Sequence, residues 1–484
     1  AERVVLIDKE VAYHRMARAG QTMGADTYKL AAHFCHINSI AHFFRNSDQP
    51  VADVFWKELI KRALNCQWVV TKVEDEKIKN TFRKRNAQLI ENVLESSNLP
   101  IETVKKNIPQ AFVKMREYSK ARQDVDLTII IPIYNCADLI QNTLDSLTQF
   151  KDIKVEVLII DDGSADDSFN LCKEYSDRLD NFYTFSQNNK GAGVARNALI
   201  PLAIGQYTYF LDADDTINTK SLEGAVLEAN KNSNDLLLFK YNIHYFEKNK
   251  SIGMFGSDQN IWNKLLVANN NDEKKVLASG LINYPWNRII ATKLLHDENI
   301  FFGKTIVHND VPYHWHSIIA STNIGVFDKA VCNHRKFDER EQITNIKDSR
   351  RMMVLEAYRY THHLISKYND FDKLLPIWMD FTTHLLSWAS GRIPAELTKE
   401  YDFKRSKILR DLDSLRQGVQ QDLIKSSVAS SDIGFYRIIG NSINGLHVED
   451  QSLGSLKHIV DYESNFKGIY KYFVLNRIID KDIE

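Results

Sequence analysis

The sequence predicts an α/β fold, a sheet of buried strands in the middle of the chain with a helical region on either side. Three observations predict it. Through about residue 120 apolar residues recur at spacings of three and four, as in VFWKELIKRALNCQWVV, and Gly and Pro are scarce. From Asp124 the texture changes to short Ile- and Val-rich runs that end in turn residues and alternate with helical stretches. Beyond about residue 345 the helical periodicity returns. A chain of 484 residues, 44% apolar, is too long for one ordinary core. We therefore expect a helical accessory domain over 1–122, a central α/β domain over 123–345 and a helical C-terminal domain over 346–484.

Within the middle region, LTIIIPIYN (127–135) and VEVLIIDDGS (155–164) read as buried strands, while ADLIQNTLDSLTQF (137–150) and SADDSFNLCKEYSDRL (164–179) have helical periodicity. Such alternation implies a parallel sheet with helices on both faces. Ligands in sheets of this kind bind beyond the carboxyl ends of the strands, which is where Tyr134, Asn135, Asp161, Asp162 and Gly163 fall. In the last region RRMMVLEAYRYTHHLISKY (350–368) and LLPIWMDFTTHLLSWAS (374–390) are the clearest helices.

Composition narrows the partners. Lys and Arg (62) nearly balance Asp and Glu (63), so no overall field draws the protein to nucleic acid. The first ten residues, AERVVLIDKE, lack the pattern of a signal peptide, and nowhere do about 18 apolar residues run together. Five cysteines without CxxC spacing indicate neither a disulfide framework nor a zinc site and suit a reducing cytoplasm. The spacing of His33, Cys35, His36 and His42 fits helix faces rather than a zinc site. Peripheral contact with the inner face of the cell membrane stays open, because KGIYKYFVLNRIID (467–480) mixes aromatics with cations; the basic run KIKNTFRKRN (77–86) reads as a solvated helical face.

The run YTYFLDADD (207–215) is an apolar strand ending in Asp212, Ala213, Asp214 and Asp215. An extended backbone puts residues two apart on one side, so Asp212 and Asp214 can share a site. Clustered carboxylates repel unless a hard cation sits between them, and Mn²⁺ or Mg²⁺ with oxygen ligands is the natural occupant. The competing reading is that these residues cap the helix NTKSLEGAVLEAN that follows.

LTIIIPIYN, LIIDDGSADDS, NNKGAGVARN and FLDADD follow one another within about 90 residues. Together they resemble the family 2 glycosyltransferases over about 126–345. The resemblance implies a glycosyltransferase-A type fold, a nucleotide-binding mixed sheet with an acceptor-binding half. It places Pro132, Tyr134 and Asn135 in a nucleoside pocket, Asp162 on the base or ribose with Asp161 and Gly163 beside it, and Arg196 and Lys190 against the diphosphate. By the same resemblance Asp212, Ala213 and Asp214 hold the metal and the donor, and Gly191 and Gly193 let backbone approach the nucleotide. A surface helix cation is the alternative for Arg196.

Further on, NYPWNRII and the segment ending HNDVPYHWHSIIA (283–320) resemble the second half of the family. Trp286 belongs to its Trp-Asn-Lys/Arg turn, which assigns it to donor binding. Where the family commonly has Glu-Asp the chain has Asn309-Asp310, leaving Asp310 as candidate general base, with a helix N-cap as its competing role. VCNHRKFDEREQIT (331–344) resembles the segment that closes the site, with Arg335 reaching the pyrophosphate, Thr344 ending the motif and His334 a candidate metal ligand; the usual Gly-Ser is replaced by Glu341 and Gln342. The whole implies an inverting, metal-dependent transfer from a nucleotide diphosphate-sugar, a UDP-sugar, to a saccharide or polymer acceptor in bacterial surface polysaccharide or glycoconjugate synthesis. A non-catalytic carbohydrate- or nucleotide-binding scaffold of the same fold is the alternative, and a homo-oligomer stays open.

Overall fold

The structure is a computed structural model that describes residues 32–45, 51–66, 70–100, 103–104, 108, 125–338 and 346–425. Thr344, Glu341, Gln342 and the segment 467–480 lie outside the described residues, as do the side chains of Cys35 and His36.

Three helices come first: α1 (Ala32–Arg45), α2 (Asp53–Asn65) and α3 (Glu76–Ser97). The sheet region follows, with β1 (Leu127–Ile133), α4 (Ile140–Ser146), β2 (Val155–Asp161), α5 (Ser168–Arg178), β3 (Phe182–Ser186), α6 (Ala192–Leu199), β4 (Tyr207–Phe210), β5 (Thr216–Ile217) and α7 (Thr219–Asn232). Its second half contains β6 (Leu236–Tyr245), β7 (Lys250–Ile252), α8 (Gly256–Leu265), α9 (Asn271–Ser279), β8 (Arg288–Ala291), α10 (Thr292–Asp297), α11 (Asp310–Ala320) and β9 (Ile324–Lys336). Helices α12 (Val354–Ile365), α13 (Phe371–Ser390) and α14 (Thr398–Lys425) end the described chain. None of the described helices is long and apolar enough to cross a membrane.

The nine strands form one sheet in the order β3-β2-β1-β4-β8-β6-β9-β5, with β7 beside β6. The alternating half is parallel, as expected: Leu127 pairs with Val155 and with Tyr207, and Val157 with Phe182. Beyond β4 the sheet becomes mixed, because β8 runs antiparallel to both β4 and β6 while β9 runs parallel to β6. This is the glycosyltransferase-A type arrangement, a parallel α/β half extended by a second, mixed half. β1 and β2 are buried at every position, which explains why they read as continuous apolar runs rather than alternating ones.

The flanking helices are built into this frame. Phe34, Trp56, Leu59, Phe82 and Ile90 of α1–α3 belong to the same core as the strands. Three carbonyls of the α5–β3 region, those of Ser176, Leu179 and Phe182, accept from Nζ of Lys77 at 2.6, 2.7 and 2.8 Å, so the KIKNTFRKRN run is in part a docking face. A second core unites α12–α14 with Val276 of α9 and Val311, Trp315 and Ile319 of α11.

Candidate functional site

Residues at the carboxyl ends of β1, β2 and β4 meet at one edge of the sheet. Past β1, Tyr134 is 51% exposed, and Asn135 turns the chain at φ +46°. The Asn135 side-chain carbonyl accepts from the Ala165 amide (2.8 Å), and its own amide donates to the Ser164 hydroxyl (3.0 Å). Asp161 receives the Ser164 amide at 3.1 Å. Pro132 lies buried within β1, so it backs this edge instead of standing in it. Gly163 adopts φ +77°, and a Cβ there would come within 2.9 Å of the Asn189 amide nitrogen, so the DDGS turn requires glycine.

Asp162 differs from its expected role. Its carboxylate accepts from Gln187 Nε2 (2.6 Å) and from the amides of Lys190 (2.9 Å) and Gly191 (2.7 Å). Three of about four lone-pair positions are taken by protein, so its first task is to shape the NNKG loop that leads into α6. Lys190 itself is exposed. Gly193 also departs from expectation: a Cβ would lie 2.3 Å from the Gly303 carbonyl and 2.7 Å from Cβ of Asn309. Glycine is needed there so that α6 can pack against the 303–309 loop.

That packing positions Arg196, which is only 5% exposed and so is no surface cation. Its guanidinium pairs with the Asp212 carboxylate, donates to Asn309 Oδ1 at 3.2 Å and lies 4.9 Å from the Phe302 ring centroid. The Asn309 carboxamide thus accepts from this arginine without bringing a negative charge of its own.

The acidic turn alternates as an extended backbone should: Leu211, Ala213 and Asp215 are buried, and Asp212 and Asp214 are half-buried on the other side. It does not cap the next helix, because Asn218 does so by accepting from the Ser221 amide at 2.9 Å. Asp215, which the sequence left without a role, is fully buried; it receives His334 Nδ1 at 3.1 Å and the Arg335 amide at 2.8 Å. This follows from Thr216 pairing with Asn333, which brings the end of β9 beside the turn.

Three further candidates from the sequence meet protein groups in this arrangement. Arg335 is 4% exposed, and its guanidinium donates to the Asp214 carbonyl and, at 3.3 Å, to the Thr143 hydroxyl. That hydroxyl lies 2.9 and 2.8 Å from the carbonyls of Ala213 and Asp215. Arg335 and Thr143 thus pin three successive carbonyls of the turn, and the arginine is turned inward rather than toward a pyrophosphate. His334 commits Nδ1 to Asp215 and falls outside the group of ligand atoms close enough to share a cation. Trp286 is completely buried, stacked on Tyr284 at 4.3 Å and on His334 at 5.2 Å, so it supports the wall of the site instead of touching a donor.

Ligand atoms of Asp212, Asp214 and Asp215 all lie within 4.8 Å of one another. Burial, then the charges of Asp215 and Asp212, push the Asp214 carboxyl up to about 7. Burial also raises Asp215, against the pull of His334; burial would lower His334, but the facing Asp215 carboxylate carries it above its ordinary value. Hard oxygen donors that repel one another fit a hard divalent ion. With Asp215 already engaged, Asp212 and Asp214 are the residues that fit it.

Asp310 is the first residue of α11; Asn309 holds the N-cap position and makes no side-chain cap bond. Burial raises the Asp310 carboxyl to about 6, while Arg196 pulls it down and Asp212 pushes it up. A perturbed carboxyl alone does not mark the site, since Glu156, at the opposite end of β2, is pushed up to about 7 by burial. Glu156 lines a cavity of about 430 Å³ with Lys84 and Tyr183 that contains none of the candidate residues.

Residues 128–280 match the family described as glycosyl transferase family 2. Among similar proteins, glycosyltransferase GlyA of Streptococcus pneumoniae is 26% identical over 37% of this chain and 26% of its own length. Poly(ribitol-phosphate) beta-N-acetylglucosaminyltransferase TarS of Staphylococcus aureus is 28% identical over 37% of this chain and 30% of its own length. The chain thus matches less than a third of the length of either relative. A crystal structure of S. aureus TarS 1-349 with UDP-GlcNAc superposes over 62% of this chain and 92% of that one, at 19% identity and a TM-score of 0.42. The ordered motifs, the mixed sheet and the matched segment agree: residues 128–280 are a family 2 glycosyltransferase segment within the chain.

Proposed function

We propose that the protein is an inverting glycosyltransferase that moves a sugar from a UDP-sugar to an acceptor hydroxyl, with Asp310 as general base. The observation that carries this reading is the linkage made by Arg196, which pairs with Asp212 from the nucleotide half and donates to Asn309 beside Asp310. It couples a cation and an acidic turn suited to a diphosphate with a carboxyl whose raised value of about 6 suits proton abstraction near neutral pH. Arg196 neutralises charge on the leaving diphosphate, Asp310 takes the acceptor proton from the opposite face, and Asp162 keeps the loop before α6 in place. Asp212 and Asp214 would hold a Mn²⁺ or Mg²⁺ ion, which when bound supplies further positive charge for the diphosphate. TarS is named for transfer to poly(ribitol-phosphate), which supports a polymeric acceptor of the surface-polysaccharide kind.

Transfer and hydrolysis of UDP-sugars, beginning with UDP-GlcNAc, test the proposal with Mn²⁺ and in chelator, alongside Asp214→Asn. Turnover should depend on the cation and fall by at least about 100-fold in chelator or in the variant, because an amide is a poorer ligand for a hard ion. Full activity in chelator would remove the metal assignment. Binding of UDP-sugars without turnover on any acceptor would favour the scaffold reading.

A further inference from the structure

The region after residue 345 reaches the loop that leads into Asp310 at His308. His308 is held at φ +60°, a left-handed conformation that side chains other than glycine seldom adopt without support from their surroundings. It is the last non-helical joint before the chain enters α11, since Asn309 is already near helical angles at φ −68° and ψ −19°. Small rotations at His308 therefore swing the two residues that follow, the Arg196 partner Asn309 and then Asp310.

Two contacts hold that joint, both from the region after residue 345. Arg351 Nη1 donates to Nε2 of His308 at 3.2 Å, while its Nη2 and Nε are anchored on the Ile346 carbonyl at 2.7 and 3.2 Å. The Trp388 ring of α13 meets His308 edge-on, with centroids 5.7 Å apart at 87°. Trp388 is itself clamped between two guanidiniums, Arg351 at 4.7 Å and Arg392 at 4.0 Å from its centroid. Arginine can only donate, so Nε2 must carry a lone pair and the ring must be neutral; burial, with Arg351 beside it, lowers His308 to about 3 and keeps it so.

We propose that the C-terminal helical region is a working part of the active site, in which Arg351 and Trp388 act as positioning residues that hold Asp310 in register by fixing the backbone at His308. The inference rests on Asp310 being the base. It gives the region after residue 345 a task that packing alone does not: α11 is already secured through Val311, Trp315 and Ile319 in the second core, whereas the His308 contacts lie at the loop. A misplacement of about 1 Å at a reacting group costs on the order of 10² in rate.

The test compares His308→Leu, His308→Gln and Trp388→Leu in the full chain, measuring kcat, affinity for the UDP-sugar by calorimetry and melting temperature. Trp388→Leu and His308→Leu should lower kcat by about 10- to 100-fold with donor affinity within twofold of the parent. His308→Gln, which still offers an acceptor to Arg351, should recover most of that loss; it also keeps the comparison open if the leucine variant fails to fold. Because these residues act through Asp310, adding either leucine change to Asp310→Asn should cost no further rate. Folded variants with kcat within twofold of the parent, or losses that multiply with Asp310→Asn, would overturn the proposal while leaving the base in place. Normal turnover by Asp310→Asn alone would instead overturn the assignment of the base and the inference built on it.

Discussion

Because burial holds the Asp310 carboxyl at about 6, against its own backbone amide and Arg196, which lower it, the group is mostly ionised at neutral pH yet titrates close by. As a base it must be deprotonated, so kcat/KM should fall about tenfold per pH unit below about 6 and level off above it. Asp310→Asn should abolish that limb and lower the rate by roughly 10² to 10⁴, and a pH–rate profile for both proteins decides. Stability runs the other way. A carboxyl raised from 3.8 to about 6 contributes stability below its unfolded value and loses it as pH rises through about 6. The neutral variant should therefore melt no lower than the parent at pH 8, with the gap narrowing toward pH 5. A variant that melts well below the parent at pH 8 would show that the carboxylate is structural.

At the scale of elements, the approach of α6 to the 303–309 loop depends on Gly193. Gly193→Ala places a methyl 2.3 Å from the Gly303 carbonyl oxygen, where backbone cannot yield, so the helix must shift and draw Arg196 from Asn309. We expect a loss of about 1–3 kcal/mol in denaturant unfolding together with reduced turnover; an unchanged midpoint would mean that the loop relaxes freely. This contact explains what could and could not be read from the sequence. Buried strands such as β1 announce themselves by composition, and the alternation of Asp212 with Asp214 follows from the pleat. The DDGS and DADD turns were legible because their residue types fit their positions. Nothing in NKGAGVARN distinguishes a glycine that admits a ligand from one that admits a neighbouring loop. The inward turn of Arg335 was hidden for the same reason, since it depends on a pairing with Thr143 192 residues away, and the burial of Trp286 rests on stacking against Tyr284 and against His334 of β9. Asp215 stood in view in LDADD, but its use is set by the distant β9.

For the whole molecule, the described regions form one interlocked body in which helices from either end of the chain complete the sheet. At the N-terminal side Arg45 meets Asp297 at 3.1 Å, and Arg85 donates to the Pro201 carbonyl at 2.5 Å, but Lys77 makes the most demanding contact. Its ammonium has three hydrogens and meets three carbonyls, whereas a guanidinium is a flat fork that cannot reproduce that arrangement. Lys77→Arg should accordingly cost about 1–3 kcal/mol in chemical denaturation, although it conserves charge; a loss below about 0.5 kcal/mol would show the contact to be incidental. Two of those carbonyls, from Ser176 and Leu179, close the last turn of α5, and the third opens β3, the outermost strand of the sheet. Helix ends need donors for their final carbonyls, and here the donor comes from about a hundred positions earlier in the chain. The sheet region has, in effect, a helix terminus finished in trans: cut free at residue 123, it should fray first at α5 and its rim strand, and a separate segment spanning α3 is the fragment that should mend it.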